Sequence, residues 1–181
     1  MKKLLLSAVI AVFAMSSMNA QEVKFGAKAG VNFATLGGDD SDDFDGRTSF
    51  HVGAVAQIGI SEKFAIQPEL IYSSQGASAN DTDLKMDYIN IPVLAKIFVA
   101  EGFSVEVGPQ IGFLMSAKAE GEDLKELFKS TDFSGALGLG YKLETGLNFA
   151  ARYNLGLGNI IDFDGGDVKN NVFQLSVGYM F

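Results

Sequence analysis

Eight segments of this 181-residue chain alternate apolar and polar side chains almost without interruption, and this alternation restricts the fold more than any other feature. A β-strand repeats every two residues, so alternation sorts side chains onto two opposite faces. From Val23 to Phe33 the odd positions are Val23, Phe25, Ala27, Ala29, Val31 and Phe33. Between them stand Lys24, Gly26, Lys28, Gly30 and Asn32. The same two-row pattern runs through Phe50–Ile60, Phe64–Tyr72, Ile89–Ile97, Phe103–Phe113, Phe133–Leu143, Leu147–Leu155 and Phe173–Phe181. The chain therefore reads as all-β.

Alternating strands suit either a soluble barrel or sandwich, with one face on a packed core, or a barrel in a membrane. Three features favour the membrane. The segments run to about 10–13 residues, the length that crosses a bilayer at a tilt, whereas soluble strands average about 5–6. Connections alternate between tight turns (Ser61–Lys63, Ala100–Gly102, Glu144–Gly146) and long polar stretches (Thr35–Thr48, Ser74–Lys85, Ser116–Asp132, Gly158–Asn171). Outer-membrane barrels have this asymmetry. The polar row is also crowded with Gly and with charges of both signs: Lys24, Lys28, Glu69, Lys96, Glu106, Lys142 and Arg152. A narrow barrel has an interior that side chains just fill, so small residues make room for long charged ones. The expected fold is an eight-stranded antiparallel up-and-down transmembrane β-barrel.

Aromatic residues near the strand ends (Phe25, Phe50, Phe64, Tyr72, Phe103, Tyr141, Tyr179 and Phe181) fall on the apolar row, where interfacial girdles belong. Tyr179 and Phe181, in the last strand, resemble the signal read by the barrel assembly machinery. Pro68, Pro92 and Pro109 fall inside strands. A closed barrel has no free edge for them, so bulges are expected there.

The N-terminal stretch fits export. Lys2 and Lys3 precede an apolar run from Leu4 to Met15, and Ser16, Ser17, Met18, Asn19 and Ala20 follow. This is the order of a secretory signal peptide, expected to span residues 1–20 with cleavage after Ala20, leaving residues 21–181 as one barrel domain. The chain has no Cys, so disulfides do not hold it. A net charge of -8 argues against a nucleic-acid partner.

Several residues could carry chemistry. Glu69 and Glu106 could form a catalytic carboxylate pair, and Lys96 with Arg152 could bind an anion. The favoured reading is a structural ion-pair network across the lumen, built from Lys28, Glu69, Lys96, Glu106, Lys142 and Arg152, since buried charges need partners. His51, the single histidine, could act on Ser73 or Ser74 as a hydrolytic base. It falls on the inner row without a nucleophile motif, which favours a polar filler. Acidic loops hold Asp39, Asp40, Asp42, Asp43 and Asp45, then Asp162, Asp164 and Asp167. Their oxygens suit weak Ca²⁺ or Mg²⁺ binding, a bridge to lipopolysaccharide phosphates, or partner contact, but the spacing matches no helix-loop-helix calcium site. Asp123, Leu124, Leu127 and Phe128 suggest a helical turn within Glu120–Lys129. No metal cluster, cofactor motif or catalytic signature stands out, so the chain reads as a non-enzyme.

Certain stretches resemble small outer-membrane barrel proteins of Bacteroidetes known as PorT-like. They are Phe25–Leu36 (FGAKAGVNFATL), Ile66–Gly76 (IQPELIYSSQG), Tyr88–Phe98 (YINIPVLAKIF), Val107–Lys118 (VGPQIGFLMSAK), the ARYNLGLGN within Gly138–Ile160, and the closing LSVGYMF. The resemblance implies an outer-membrane location, a barrel shaped like OmpA and OmpX, and no catalytic residues. The family's namesake is linked to protein secretion through the type IX system. The expected role is structural or interactive, with no large pore. Its partners would be outer-membrane lipid and lipopolysaccharide, the assembly machinery during insertion, and envelope or secretion proteins. An accessory secretion component and a lipid-modifying enzyme are the alternatives.

Overall fold

The computed structural model describes residues 22–37, 45–79, 82–162 and 168–181. The signal segment and Asp39, Asp40, Asp42, Asp43, Asp164 and Asp167 lie outside the described residues. Within them the strands are β1 (Val23–Gly37), β2 (Asp45–Ser61), β3 (Phe64–Ala79), β4 (Thr82–Phe98), β5 (Phe103–Ala119), β6 (Glu122–Asp123), β7 (Thr131–Lys142), β8 (Leu147–Gly156) and β9 (Lys169–Met180). Every pairing is antiparallel, and the hydrogen-bonded order β4-β3-β2-β1-β9-β8-β7-β5 is closed by β4 against β5. Eight strands form the wall; β6 is a two-residue extension beside the outer end of β5. Closure satisfies the backbone without leaving a sheet edge in lipid.

The short turns join β2–β3, β4–β5 and β7–β8 at one end. Gly102 (φ 75°) and Gly146 (φ 92°) stand in the left-handed region that these reversals need. Close approach matters elsewhere. A Cβ on Gly30 would lie 2.0 Å from the Leu175 carbonyl oxygen and 2.7 Å from the His51 ring, so only glycine lets the wall and that ring meet.

The outward row faces lipid: Val31, Val52, Leu70, Val93, Val107, Leu137, Leu139, Leu155 and Leu175 are all exposed. Aromatic pairs mark its two borders. Phe103–Tyr141 (4.5 Å) and Tyr179–Phe181 (5.6 Å) lie at the short-turn end, and Phe50–Tyr72 (5.9 Å) and Phe33–Phe173 (6.2 Å) near the loop end. Phe181 N–H donates to the Phe25 carbonyl at 2.8 Å, tying the last residue to β1.

The prolines do not produce the expected bulges. Register is unchanged from Val55↔Glu69 to Ile58↔Ile66, from Pro68↔Val93 to Ile71↔Asn90, and from Pro92↔Gln110 to Ala95↔Val107. The pairs skipped in each interval are those beside a proline. A missing N–H removes one ladder bond on one side and requires no inserted residue. Irregularities occur instead between Gly46 and His51, between Gly59 and Ser61, and at Asp87/Tyr88, where β5 accommodates Met115 as the extra residue.

A second correction concerns the loops. Residues 74–79 and 82–85, read from sequence as part of a long connection, are strand, and β3 and β4 pair as far as Ala79↔Thr82. Above the outer aromatic border the polarity of the two faces reverses. Asp83 and Lys85 point to water, while Leu36, Ala77, Met86, Tyr88, Leu114 and Ala117 turn inward. There they form an apolar cluster with Ile160 and Val168, against which Leu84, Phe128 and Ile161 pack. Water outside and a dry mouth inside drive this arrangement by ordinary hydrophobic burial.

Two outer connections close over this cluster. The expected helical turn is a short 3-10 turn, Lys125–Leu127, followed by Phe128, which bridges Ile161. Lys129 N–H donates to the Ile160 carbonyl (2.8 Å) and Asp162 N–H to the Leu127 carbonyl (3.1 Å). Asn159 Oδ1 accepts from the N–H groups of Ile161 and Val168, each at 3.1 Å.

Candidate functional site

The inner row of the wall fills the lumen in layers. Toward the short-turn end, Lys28 (β1), Glu69 (β3), Lys96 (β4), Glu106 (β5) and Arg152 (β8) form one ion-pair network. Arg152 donates through Nη1 to Glu69 Oε2 and through Nη2 to Glu69 Oε1 and Glu106 Oε2, all at 2.8 Å. Lys28 Nζ lies 3.0 Å from Glu69 Oε2, and Lys96 Nζ lies 3.0 Å from Glu106 Oε1. Gln67, which sequence reasoning did not single out, joins the halves. Its amide donates to Glu69 Oε1 (2.8 Å) and its oxygen accepts from Lys96 (3.2 Å). A two-pronged guanidinium shared by two carboxylates locks strands far apart in sequence.

Glu69 and Glu106 thus share Arg152 rather than standing as a free acid/base pair. Lys142 is brought near but forms no ion pair among the described residues; it is half-buried at the short-turn end. Lys24 is nearer that end still and pairs with Glu22 at 3.0 Å.

Above the ions lies a layer of neutral polar side chains. His51 Nδ1 is 2.7 Å from Asn32 Oδ1 and Nε2 is 2.8 Å from Ser176 Oγ. Asn32 donates to the Ser74 carbonyl (2.7 Å), the Phe50 carbonyl (3.0 Å) and Ser73 Oγ (3.0 Å). Gln174 donates to Asn32 Oδ1 and accepts from Asn154, both at 2.9 Å. Asn170 donates to Gln75 Oε1, and Gln75 donates to Ser73 Oγ. Asn32, Asn154, Gln174 and Ser176 stand on even positions of β1, β8 and β9, and His51 and Ser73 on odd positions of β2 and β3. Each falls on the polar row of its strand, so the alternation marks them as inward, whereas Gln75 and Asn170 lie in stretches that read as long connections. Only the fold shows that they connect.

The ring nitrogens of His51 are used by Asn32 and Ser176, not by Ser73 or Ser74. Serine, imidazole and amide in line resemble a hydrolase relay. The surroundings oppose that use: His51 is 1% exposed, its ring is pressed against Gly30, the apolar cap lies above and the ion network below. An acyl substrate needs space beside the serine oxygen, and this packing fills it.

Of the acidic loop residues, Asp45 begins β2, and Asp162 borders an open groove with Asp123, Lys125, Glu126, Phe128 and Ser130. No group of three or more His, Cys, Asp or Glu side chains among the described residues is arranged to hold a metal ion. Arg47, half-buried at the outer end of β2, pairs with Asp83 at 3.5 Å, and Ser78 donates to the same carboxylate at 2.6 Å. The Ser78 hydroxyl and the Arg47 guanidinium hold the Asp83 carboxyl below its usual range.

A closed antiparallel barrel with a lipid-facing outer row and a side-chain-filled lumen is an outer-membrane protein. The chain belongs to the family described as outer membrane protein beta-barrel domain, which matches residues 5–181. No curated protein is significantly similar in sequence. Among solved structures, the chain is similar to Ail, the attachment invasion locus protein of Yersinia pestis, solved with the heparin analogue sucrose octasulfate. That match has 17% identity and a TM-score of 0.55, covering 88% of this chain and 99% of Ail. It is also similar to Neisserial surface protein A (15% identity, TM-score 0.56, 88% and 99% covered). A third match is Ail in a phospholipid bilayer nanodisc (16% identity, TM-score 0.51, 88% and 100% covered). The protein is located in the bacterial outer membrane.

Proposed function

We propose that the protein is a non-enzymatic, non-conducting barrel that acts through its outer face, stabilising the envelope or presenting acidic loops to a partner. The carrying observation is a lumen filled at three levels: ion pairs, neutral amides and an apolar cap. With the interior committed to packing, the outer surface is left for interaction.

That surface is strongly acidic. Of the chain's 22 acidic residues, all but Glu22, Glu62, Glu69, Glu101, Glu106, Glu144 and the buried Asp132 belong to the outer connections and strand ends by their place in the sequence. Of its 14 basic residues only Arg47, Lys85, Lys118, Lys125, Lys129 and Lys169 do. Such a surface attracts cations and repels polyanions. It therefore fits divalent ions shared with lipopolysaccharide phosphates, or a cationic partner, better than the polysulfated compound bound by Ail. During insertion, Tyr179 and Phe181 on the last strand would present the assembly signal.

The test is conductance. Purified barrel in planar bilayers is expected to give no steady channels of large conductance. Long-lived openings with porin-like current would overturn the sealed-lumen reading.

The PorT-like sequence stretches favour a second reading, an accessory role in type IX-like secretion. It predicts that the barrel, extracted gently from its native membrane, carries defined secretion proteins with it. Recovery alone and folded would count against it. A lipid-modifying enzyme would instead change lipid A on expression, with the change lost in His51→Ala.

A further inference from the structure

The ion network contains three cations, Lys28, Lys96 and Arg152, but only two carboxylates, Glu69 and Glu106. All five are buried. One positive charge is in excess at buried positions, and an uncompensated buried charge is expensive.

The excess has a location. A small, largely enclosed cavity of about 20 Å³ lies on the short-turn side of the network. Lys28, Lys96, Lys142 and Arg152 line it, with Glu106 as its one carboxylate. Donors there outnumber acceptors. Arg152 is 2% exposed, yet its Nε–H has no partner among the described residues. Each lysine ammonium carries three N–H groups, and the contacts above account for one on Lys28 and two on Lys96. The Gln57 carbonyl oxygen, also unpartnered, can take one of the spare donors. A cavity of this size holds one water-sized guest.

We propose that this cavity is a binding site for a small monovalent inorganic anion, chloride under ordinary conditions, held by Lys28, Lys96, Lys142 and the Arg152 Nε–H. Chloride is little larger than water, accepts several N–H bonds at once, and brings the buried cluster to neutrality. Water could satisfy the spare donors but would leave the charge. The partial exposure of Lys142 places the entrance at the short-turn end, which faces the periplasm.

Bromide reports the site directly. Crystals of the folded protein grown in bromide are expected to show an anomalous peak in the cavity, against Lys28 and Arg152. In detergent, the melting midpoint is expected to be roughly 2–4 °C higher in chloride than in gluconate of equal concentration. Lys28→Met removes the excess charge and should abolish both the peak and the midpoint difference. Should that variant fail to fold, Lys142→Gln, outside the ion pairs, should reduce both. An empty or water-filled cavity with equal midpoints would overturn the proposal. So would a peak that persists in the variants or stabilises nothing, which would mark an adventitious ion only.

Discussion

Glu69→Gln should be the most damaging single change in the lumen, lowering barrel stability by about 3–5 kcal/mol. Glu69 receives both prongs of Arg152, the Lys28 ammonium and the Gln67 amide. Neutralising it leaves Lys28 without its ion-pair partner and turns a cluster with one positive charge in excess into one with two. Arg152→Met removes more contacts but leaves Lys28–Glu69 and Lys96–Glu106 as two neutral pairs, so its cost should be smaller. Glu106→Gln should fall between them, because Lys96 keeps its bond to Gln67. The double variant Glu69→Gln/Lys28→Met should recover part of the loss, and that coupling distinguishes charge balance from packing. Reversible urea unfolding in lipid or detergent, followed by far-UV circular dichroism because the chain has no Trp, measures all four. Equal costs for Glu69→Gln and Arg152→Met would mean that net charge does not govern the lumen.

The barrel was legible because the bilayer enforces one rule along each strand: apolar outward, polar inward. Lys28, Glu69, Lys96, Glu106 and Arg152 could be placed on one face from parity alone. Which carboxylate meets which cation depends on strand stagger, and the sequence does not print stagger. Lys142 shares the parity of the network members but stands too near the short-turn end to join them. Gln67 escaped notice because a neutral amide between two strong ions carries no sequence signature. The neutral layer was half visible: Asn32, His51, Asn154 and Gln174 lie on the inner row, but the bond from His51 to Ser176 joins residues 125 positions apart.

The missed strand ends have a different cause. Beyond the outer aromatic border the rule inverts, so Asp83 and Lys85 read as loop although they are the wet face of β4. Met86 and Tyr88 keep the inward parity of Asn90, but an apolar pair on a polar row looks like the end of a pattern rather than a change of solvent. The prolines were misjudged on energetics. One lost N–H costs a ladder bond, and a bulge would have displaced a whole lipid-facing row.

This inversion divides the protein into two parts that different solvents hold together, and Met86 lies in the water-driven part. Met86→Ala should leave the membrane barrel folded while loosening its outer cap. The side chain is fully buried among Leu36, Ala77, Tyr88, Leu114, Ile160 and Val168, above the lipid-facing belt. Truncating a buried methionine costs about 2–5 kcal/mol, enough to raise transient opening of the cap by roughly 30-fold or more. The connections that cover it are fastened by the Phe128–Ile161 bridge and a few backbone bonds, and Lys125 and Lys129 offer cleavage sites there. Trypsin is therefore expected to cut the variant between β5 and β7 much faster than the wild type. The heat-modifiable band of the folded barrel should remain, because the ion network and the closed ladder below are untouched. Met86→Asp should go further, since an unpaired carboxylate cannot stay in the apolar mouth. Loss of the folded band together with the cap would show that the two parts unfold as one unit. Unchanged cleavage would show that the cluster does not hold the outer connections in place.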